Sequence, residues 1–134
     1  MNNYHIFAIK KEIYNVYKNN EYSLYKLLYN LYNLNKTDFK YGITLYNQLC
    51  YPINIKKLEE YLELIVNIRK GRNKYMISEN NKISLIIIKP SNILYKTDNI
   101  SQNIIYILNN YYKYLFICEF NKKDYYWLNL YWIK

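Results

Sequence analysis

Glu21-Tyr22-Ser23-Leu24-Tyr25-Lys26-Leu27-Leu28-Tyr29-Asn30-Leu31-Tyr32 is the stretch on which the reading of the fold turns. Leu24, Leu27, Leu28 and Leu31 recur at i, i+3, i+4 and i+7, the spacing that lines the core-facing side of an α-helix. Tyr22, Tyr25, Tyr29 and Tyr32 make a second stripe of similar spacing. At about 100° per residue the two stripes stand roughly 130° apart, so one can bury while the other cannot fully join it. A tyrosine carries an apolar ring and a polar hydroxyl, and a row of exposed ones often marks an interface. The competing reading is a second packed or solvated face. Burial separates the two, since four buried rings would leave no interface.

Upstream of this helix, Tyr4 to Ile9 alternates loosely and reads as a first strand. Lys10-Lys11-Glu12 then opens a helix through about Lys18, with Ile13 and Tyr17 on one face, and Asn19-Asn20 breaks it. Downstream, Thr37 or Asp38 can cap a third helix whose buried stripe is Phe39, Ile43, Tyr46 and Cys50, with Tyr41, Leu45 and Gln48 on the opposite side. Pro52 ends it, because the residue before proline is pushed out of helical geometry. Asn54 starts a fourth helix with Leu58, Tyr61, Leu62, Ile65 and Ile68 facing inward and Gly71 as its stop. From Lys74 the period changes. Tyr75-Met76-Ile77 and Ile83 to Lys89 flank Ser78 to Lys82 as a hairpin, and Pro90 closes the second strand. Asp98 or Ser101 begins a last helix with Ile104, Ile105 and Leu108 apolar; Leu115 to Phe120 and Tyr125 to Leu128 form a closing hairpin around Asn121 to Asp124. The expectation is one α+β domain over residues 1–134, with about five strands in a small mixed sheet and four to five helices, in the order β-α-α-α-α-β-β-α-β-β.

Composition bounds the classes. Of 134 residues 51% are hydrophobic and 22% charged, close to globular averages, which argues against disorder. With 2 Gly and 2 Pro there is little turn punctuation for a many-stranded sandwich or barrel. The 20 Tyr and the formal charge of +9 would suit nucleic acid, lysines on phosphates and rings on bases. Asn, Ile, Lys and Tyr all have A/T-rich codons, however, so an AT-rich genome enriches them together; either way the charge favours acidic partners. Cys50 and Cys118 stand apart, without metal or redox spacing, and read as reduced core thiols. The start lacks a signal peptide's basic and apolar regions, and Leu85 to Ile88 is too short to span a bilayer, so a soluble, cytoplasmic protein is expected.

Most enzymatic equipment is missing from the sequence. His5 is the single histidine, on a strand, and it reads as packed more readily than as a base or metal ligand. Gly42 and Gly71 cannot build a phosphate-cradling loop. Glu59, Glu60 and Glu63 lie among Lys56, Lys57 and Lys70 and read as a solvated, charge-laced helix face. No catalytic residue, metal or cofactor is expected. A binding protein fits better, and nucleic acid is one partner to weigh, through Lys56, Lys57, Arg69, Lys70, Arg72 and Lys74. The plainer reading of Arg69 to Lys74 is a set of cations complementing a helix C-terminus.

The two ends of the chain carry a resemblance. Tyr4-His5-Ile6-Phe7-Ala8-Ile9-Lys10-Lys11-Glu12-Ile13-Tyr14-Asn15-Val16-Tyr17 continues to Glu21-Tyr22-Ser23-Leu24, and the end runs Leu115-Phe116-Ile117-Cys118-Glu119-Phe120-Asn121-Lys122-Lys123-Asp124-Tyr125-Tyr126-Trp127-Leu128-Asn129. Together these resemble the SirA family of Bacilli, the sporulation inhibitors of replication. That family has an aromatic first strand ending in Ile-Lys-x-Glu, a Tyr-bearing helix, and an acidic-Phe-Asn-x-Lys hairpin followed by Trp-Leu-Asn. The middle of the chain agrees in element order and in Pro52. The resemblance implies a small non-enzymatic α/β protein that binds the N-terminal domain of the replication initiator DnaA; a monomer in the free state is expected. It places the contact on the helix after the first strand and on a later helix, at Ile13, Tyr17, Leu45 and Gln48. Ile13 stands where the family tends to carry an aromatic residue, so a contact there keeps its shape but is weakened.

Overall fold

The computed structural model describes residues 1–34, 39–64, 68–71, 74–79 and 81–128. Strand β1 (Asn2–Ala8) alternates between two apolar layers, Ile6 and Ala8 entering one core cluster and Phe7 the other. A strand covered on both faces must be apolar on both, and β6 (Leu115–Glu119), buried at every residue, is the second one that reads so. Around them lie β2 (Ile68–Lys70), β3 (Lys74–Glu79), β4 (Lys82–Ile88), β5 (Ile93–Thr97) and β7 (Asp124–Trp127). The helices are α1 (Lys11–Tyr17), α2 (Glu21–Tyr32), α3 (Phe39–Leu49), α4 (Ile55–Leu62) and α5 (Gln102–Tyr111). The strands form one sheet in the order β2-β3-β4-β5-β1-β6-β7, with every neighbouring pair antiparallel.

The α+β class and the expected element order hold, but the sheet has seven strands among the described residues where about five were expected. The two additional strands are β2 and β5. Ile68 belongs to β2 and pairs with Ile77, so it does not extend the fourth helix, and Gly71 lies in the β2–β3 connection. The basic run around Lys70 therefore sits on a hairpin instead of a helix end. Ile65 and Arg72, like the expected caps Thr37 and Asp38, lie outside the described residues.

Two helical layers cover the sheet unequally. On one face Leu58 and Leu62 of α4 with Ile104, Ile105 and Leu108 of α5 pack on Ile6, Tyr75, Ile77, Ile86, Ile88, Ile93, Tyr95 and Ile117, reaching five strands. Asn54 caps α4 as expected, its Oδ1 accepting from the Lys57 amide at 3.2 Å. Tyr61 is on the rim, 39% exposed and edge-on to Tyr111 at 4.7 Å, not inward. On the other face Leu24, Tyr25, Leu28 and Leu31 of α2 and Leu49 of α3 pack on Phe7, Phe116, Cys118, Phe120 and Trp127. That cluster takes no described residue from β2, β3, β4 or β5.

Helix α3 is turned a little from the expected orientation: Tyr46 and Cys50 pack on the core and Tyr41 and Gln48 are exposed as expected, but Ile43 and Leu45 depart from it. Ile43 is 43% exposed, while Gly42 and Leu49 are buried and Leu45 and Tyr46 are half-buried on the core side. Gly42, Leu45, Tyr46 and Leu49 also recur at i, i+3, i+4 and i+7. A Cβ at Gly42 would stand 3.1 Å from Leu34 Cδ1, the flexible end of a side chain just past α2, so the two segments pack closely there.

Candidate functional site

Four backbone atoms fix where α1 and α3 meet. The Lys10 amide donates to Leu49 O at 3.0 Å and the Tyr51 amide to Ala8 O at 2.8 Å, while Ile9 and Cys50 form an isolated antiparallel bridge. The start of α1 is thereby stitched to the end of α3. Tyr17 lies about 10 Å along α1 from this corner, and Leu45 about 6 Å back along α3. Helix α1 has no fully buried residue. Its inner side is Ile13, Tyr14 and Tyr17, all half-buried against the core cluster that also holds Leu45. Tyr14 anchors the helix, stacked on Tyr114 at 4.1 Å and edge-on to Trp127 at 4.8 Å.

Of the four expected contact residues, then, Ile13, Tyr17 and Leu45 lean on one apolar core and leave part of their surface to solvent, and Gln48 is exposed. Leu45 was expected opposite the buried side of α3; with the helix turned, it stands at the margin of that side. Val16, next to Tyr17, is 68% exposed and adds an apolar group that the sequence reading did not single out.

The tyrosine stripe of α2 divides. Tyr22, Tyr29 and Tyr32 are exposed, but Tyr25 is buried, stacked on Tyr125 at 4.7 Å. Phe120 explains the arrangement: Tyr32 stacks on it at 4.7 Å, Tyr25 and Tyr29 tilt over it at 5.8 and 5.9 Å, and His5 lies at 5.1 Å. Tyr29 and Tyr32 thus lean on a structural neighbour while keeping one side in water, and Tyr25 is enclosed by it. The closing hairpin is structural too. The Glu119 carboxylate accepts from the Asn3 amide at 2.7 Å and the Asn121 amide at 3.1 Å, tying the turn to β1. Trp127 is buried against Phe116 at 4.8 Å.

Beside the α1–α3 corner opens a cleft of about 230 Å³, lined by Lys11, Tyr51, Tyr111, Tyr112, Lys113 and Tyr114 among others. Sequence reasoning missed it, although the run Tyr111-Tyr112-Lys113-Tyr114 was there to be read. Its walls are held in place: Tyr112 Oη accepts from the Asn54 amide at 3.0 Å, and the Tyr111 hydroxyl donates to Lys57 O at 3.2 Å. Elsewhere, Lys70 Nζ lies 3.4 Å from Glu63 and 3.7 Å from Glu59, which removes it from any free basic run. No group of three metal-ligating side chains occurs among the described residues. Cys50 and Cys118 are free and buried; burial pushes the Cys50 thiol up to about 12 and the Cys118 thiol upward as well, so neither is a ready nucleophile.

These features define a small antiparallel-sheet α+β protein whose candidate site is a surface of helix side chains. The chain matches the model of the sporulation inhibitor of replication protein SirA over residues 2–131, nearly its whole length, and it belongs to that family. Membership implies a role in inhibiting replication initiation in sporulation, in a regulatory family and not a known enzyme family. No curated protein matches the chain. No helix of the described residues is long and apolar enough to cross a membrane.

Proposed function

We propose that this chain inhibits initiation by binding the N-terminal domain of DnaA, stoichiometrically and without turnover, through α1 and α3. Family membership supports the role, and the placement of Ile13, Tyr17 and Leu45 carries the choice of surface. Each is held by the core yet half-open to solvent, on two helices stitched at one corner. A side chain already ordered by packing loses little entropy when a partner covers it, which is what an interface anchor needs. Tyr17 and Val16 form the apolar centre, and Gln48 supplies a polar, orienting contact at the rim. The adjoining cleft, with Lys11 and Lys113 at a tyrosine-lined opening, suits an acidic or aromatic side chain of the same partner. The protein acts as one cytoplasmic domain, monomeric when free.

Calorimetric titration with the N-terminal domain of the host's DnaA, at low and high salt, tests the reading. Saturable one-to-one binding that survives high salt is expected. Binding to DNA that falls steeply with salt, with none to the DnaA domain, would transfer the function to the basic surface.

A further inference from the structure

Strand β4 is apolar on both faces, yet among the described residues helices cover one. Ile86 and Ile88 lie under α4 and α5, whereas Ile83 is 57% exposed and Leu85 and Ile87 are half-buried on the opposite face. The register extends this face across its neighbours, Met76 beside Leu85 beside Lys96, and Lys74 beside Ile87 beside Leu94. Met76 is 44% exposed, and none of these five apolar residues belongs to either core cluster. No described acidic residue occupies this face of β3, β4 or β5: the alternation puts Glu79 on the other one, with Tyr75 and Ile77. The strip therefore runs along β4 with Lys74 on one flank and Lys96 on the other.

Its surroundings select the occupant. On the same side of the sheet α2 and α3 cover β1, β6 and β7, and Tyr46 of α3 stacks over Phe7 of β1 at 6.1 Å. Among the described residues the helical layer stops there, leaving a shelf about one helix diameter deep, ~10 Å, beside it. Ile83 to Ile87 spans about 14 Å of strand, the length of about nine residues of helix. A flat bilayer would be held off by the neighbouring helices. The strip offers no ring on which a base could stack. A second copy of this chain, at +9, would set lysine against lysine.

We propose that the bare face of β3, β4 and β5 is a second docking site, which receives an acidic amphipathic helix of another protein, apolar seam down on Ile83, Leu85 and Ile87 and carboxylates toward Lys74 and Lys96. The site is distinct from the α1–α3 surface and does not depend on it.

The test uses the full chain and a designed helical peptide of about 16 residues, with a leucine seam and glutamates on both sides of it. NMR shifts confined to the side chains of Met76, Ile83, Leu85, Ile87 and Leu94 are expected, with no binding by the same peptide carrying lysines for glutamates. Ile83→Glu at an exposed position and Lys96→Glu at a half-buried one, each checked for an intact fold by its amide spectrum, weaken the peptide about tenfold, while Tyr17→Ala leaves it unchanged. Four results would overturn the proposal: no shifts in the strip at millimolar peptide; equal binding of both peptides; stronger shifts of the same methyls by phosphatidylserine vesicles or a thymidine oligonucleotide; or a concentration-dependent dimer dissolved by Ile83→Glu.

Discussion

The orientation of α3 decides what Leu45 and Gln48 can do, and two truncations measure it. Leu49 is 7% exposed and packs in the core beneath α2, so Leu49→Ala removes buried methyls and leaves a void. Core Leu→Ala changes cost 2–5 kcal/mol; at the last turn of a helix, where the chain can relax, about 2–3 kcal/mol is expected. Ile43 is 43% exposed. Ile43→Ala loses apolar contact on one side only and gains about 0.4 kcal/mol of helix propensity, for a net cost of about 0–1 kcal/mol. Equilibrium urea unfolding reads both, with an unchanged slope confirming that midpoint shifts report stability. In a thermal melt the same difference of about 2 kcal/mol separates the variants by roughly 6–8 °C. An Ile43→Ala cost equal to or above that of Leu49→Ala would refute the reasoning. The helix would then present Phe39, Ile43 and Tyr46 inward, as the simplest sequence spacing suggests, and Leu45 would stand clear of the core.

Gly42→Ala places a methyl 3.1 Å from the end of the Leu34 side chain, which can give by a few tenths of an ångström; helix propensity of about 1 kcal/mol then outweighs the crowding, so melting should rise slightly, whereas the bulkier Gly42→Val should lower it. His5 is held below its ordinary 6.5, chiefly by burial, with Lys89 reinforcing and Asn92 and Glu119 opposing. The unfolded chain therefore binds the proton more readily. Stability should be full above pH 6.5 and decline as pH falls through that value toward the lowered folded pKa, and His5→Gln should flatten that part of the melting profile. Cys50 and Cys118 should resist a thiol reagent at pH 8 in the native protein and both react once guanidinium unfolds it; rapid native labelling would contradict their burial.

Much of the fold was legible because its signals are local. The leucine stripe of α2 puts Leu24, Leu28 and Leu31 in the core, Asn54 caps α4, and the hairpin of β6 and β7 falls where its turn residues stand. Strand β5 was missed because Ile93 to Thr97 is short and hemmed between Pro90 and the start of a helix. Ile68 continued the apolar spacing of α4, and only its pairing with Ile77 makes it a strand residue. On α3 two overlapping stripes compete, and Gly42, buried on the observed one, carries no hydrophobic signal. The burial of Tyr25 depends on Phe120 and Tyr125, far along the chain, which no periodicity reports. For the site, the shared face of Ile13 and Tyr17 was readable, but the stitching of α1 to α3 was not. The open sheet face was hidden for a related reason: the unbroken apolar run Leu85-Ile86-Ile87-Ile88 carries no alternation, and only the assembled layers show that the described helices cover one side of it.

The central claim is that a half-open apolar surface on α1 and α3 binds the initiator. Its most direct test is titration of the N-terminal domain of DnaA with the wild-type chain, Tyr17→Ala and Ile83→Glu, each checked for fold by its melt. The account predicts one-to-one binding by wild type and Ile83→Glu, and a loss of about thirtyfold or more for a still-folded Tyr17→Ala. Undiminished binding by Tyr17→Ala, or none by the wild-type chain, would contradict it.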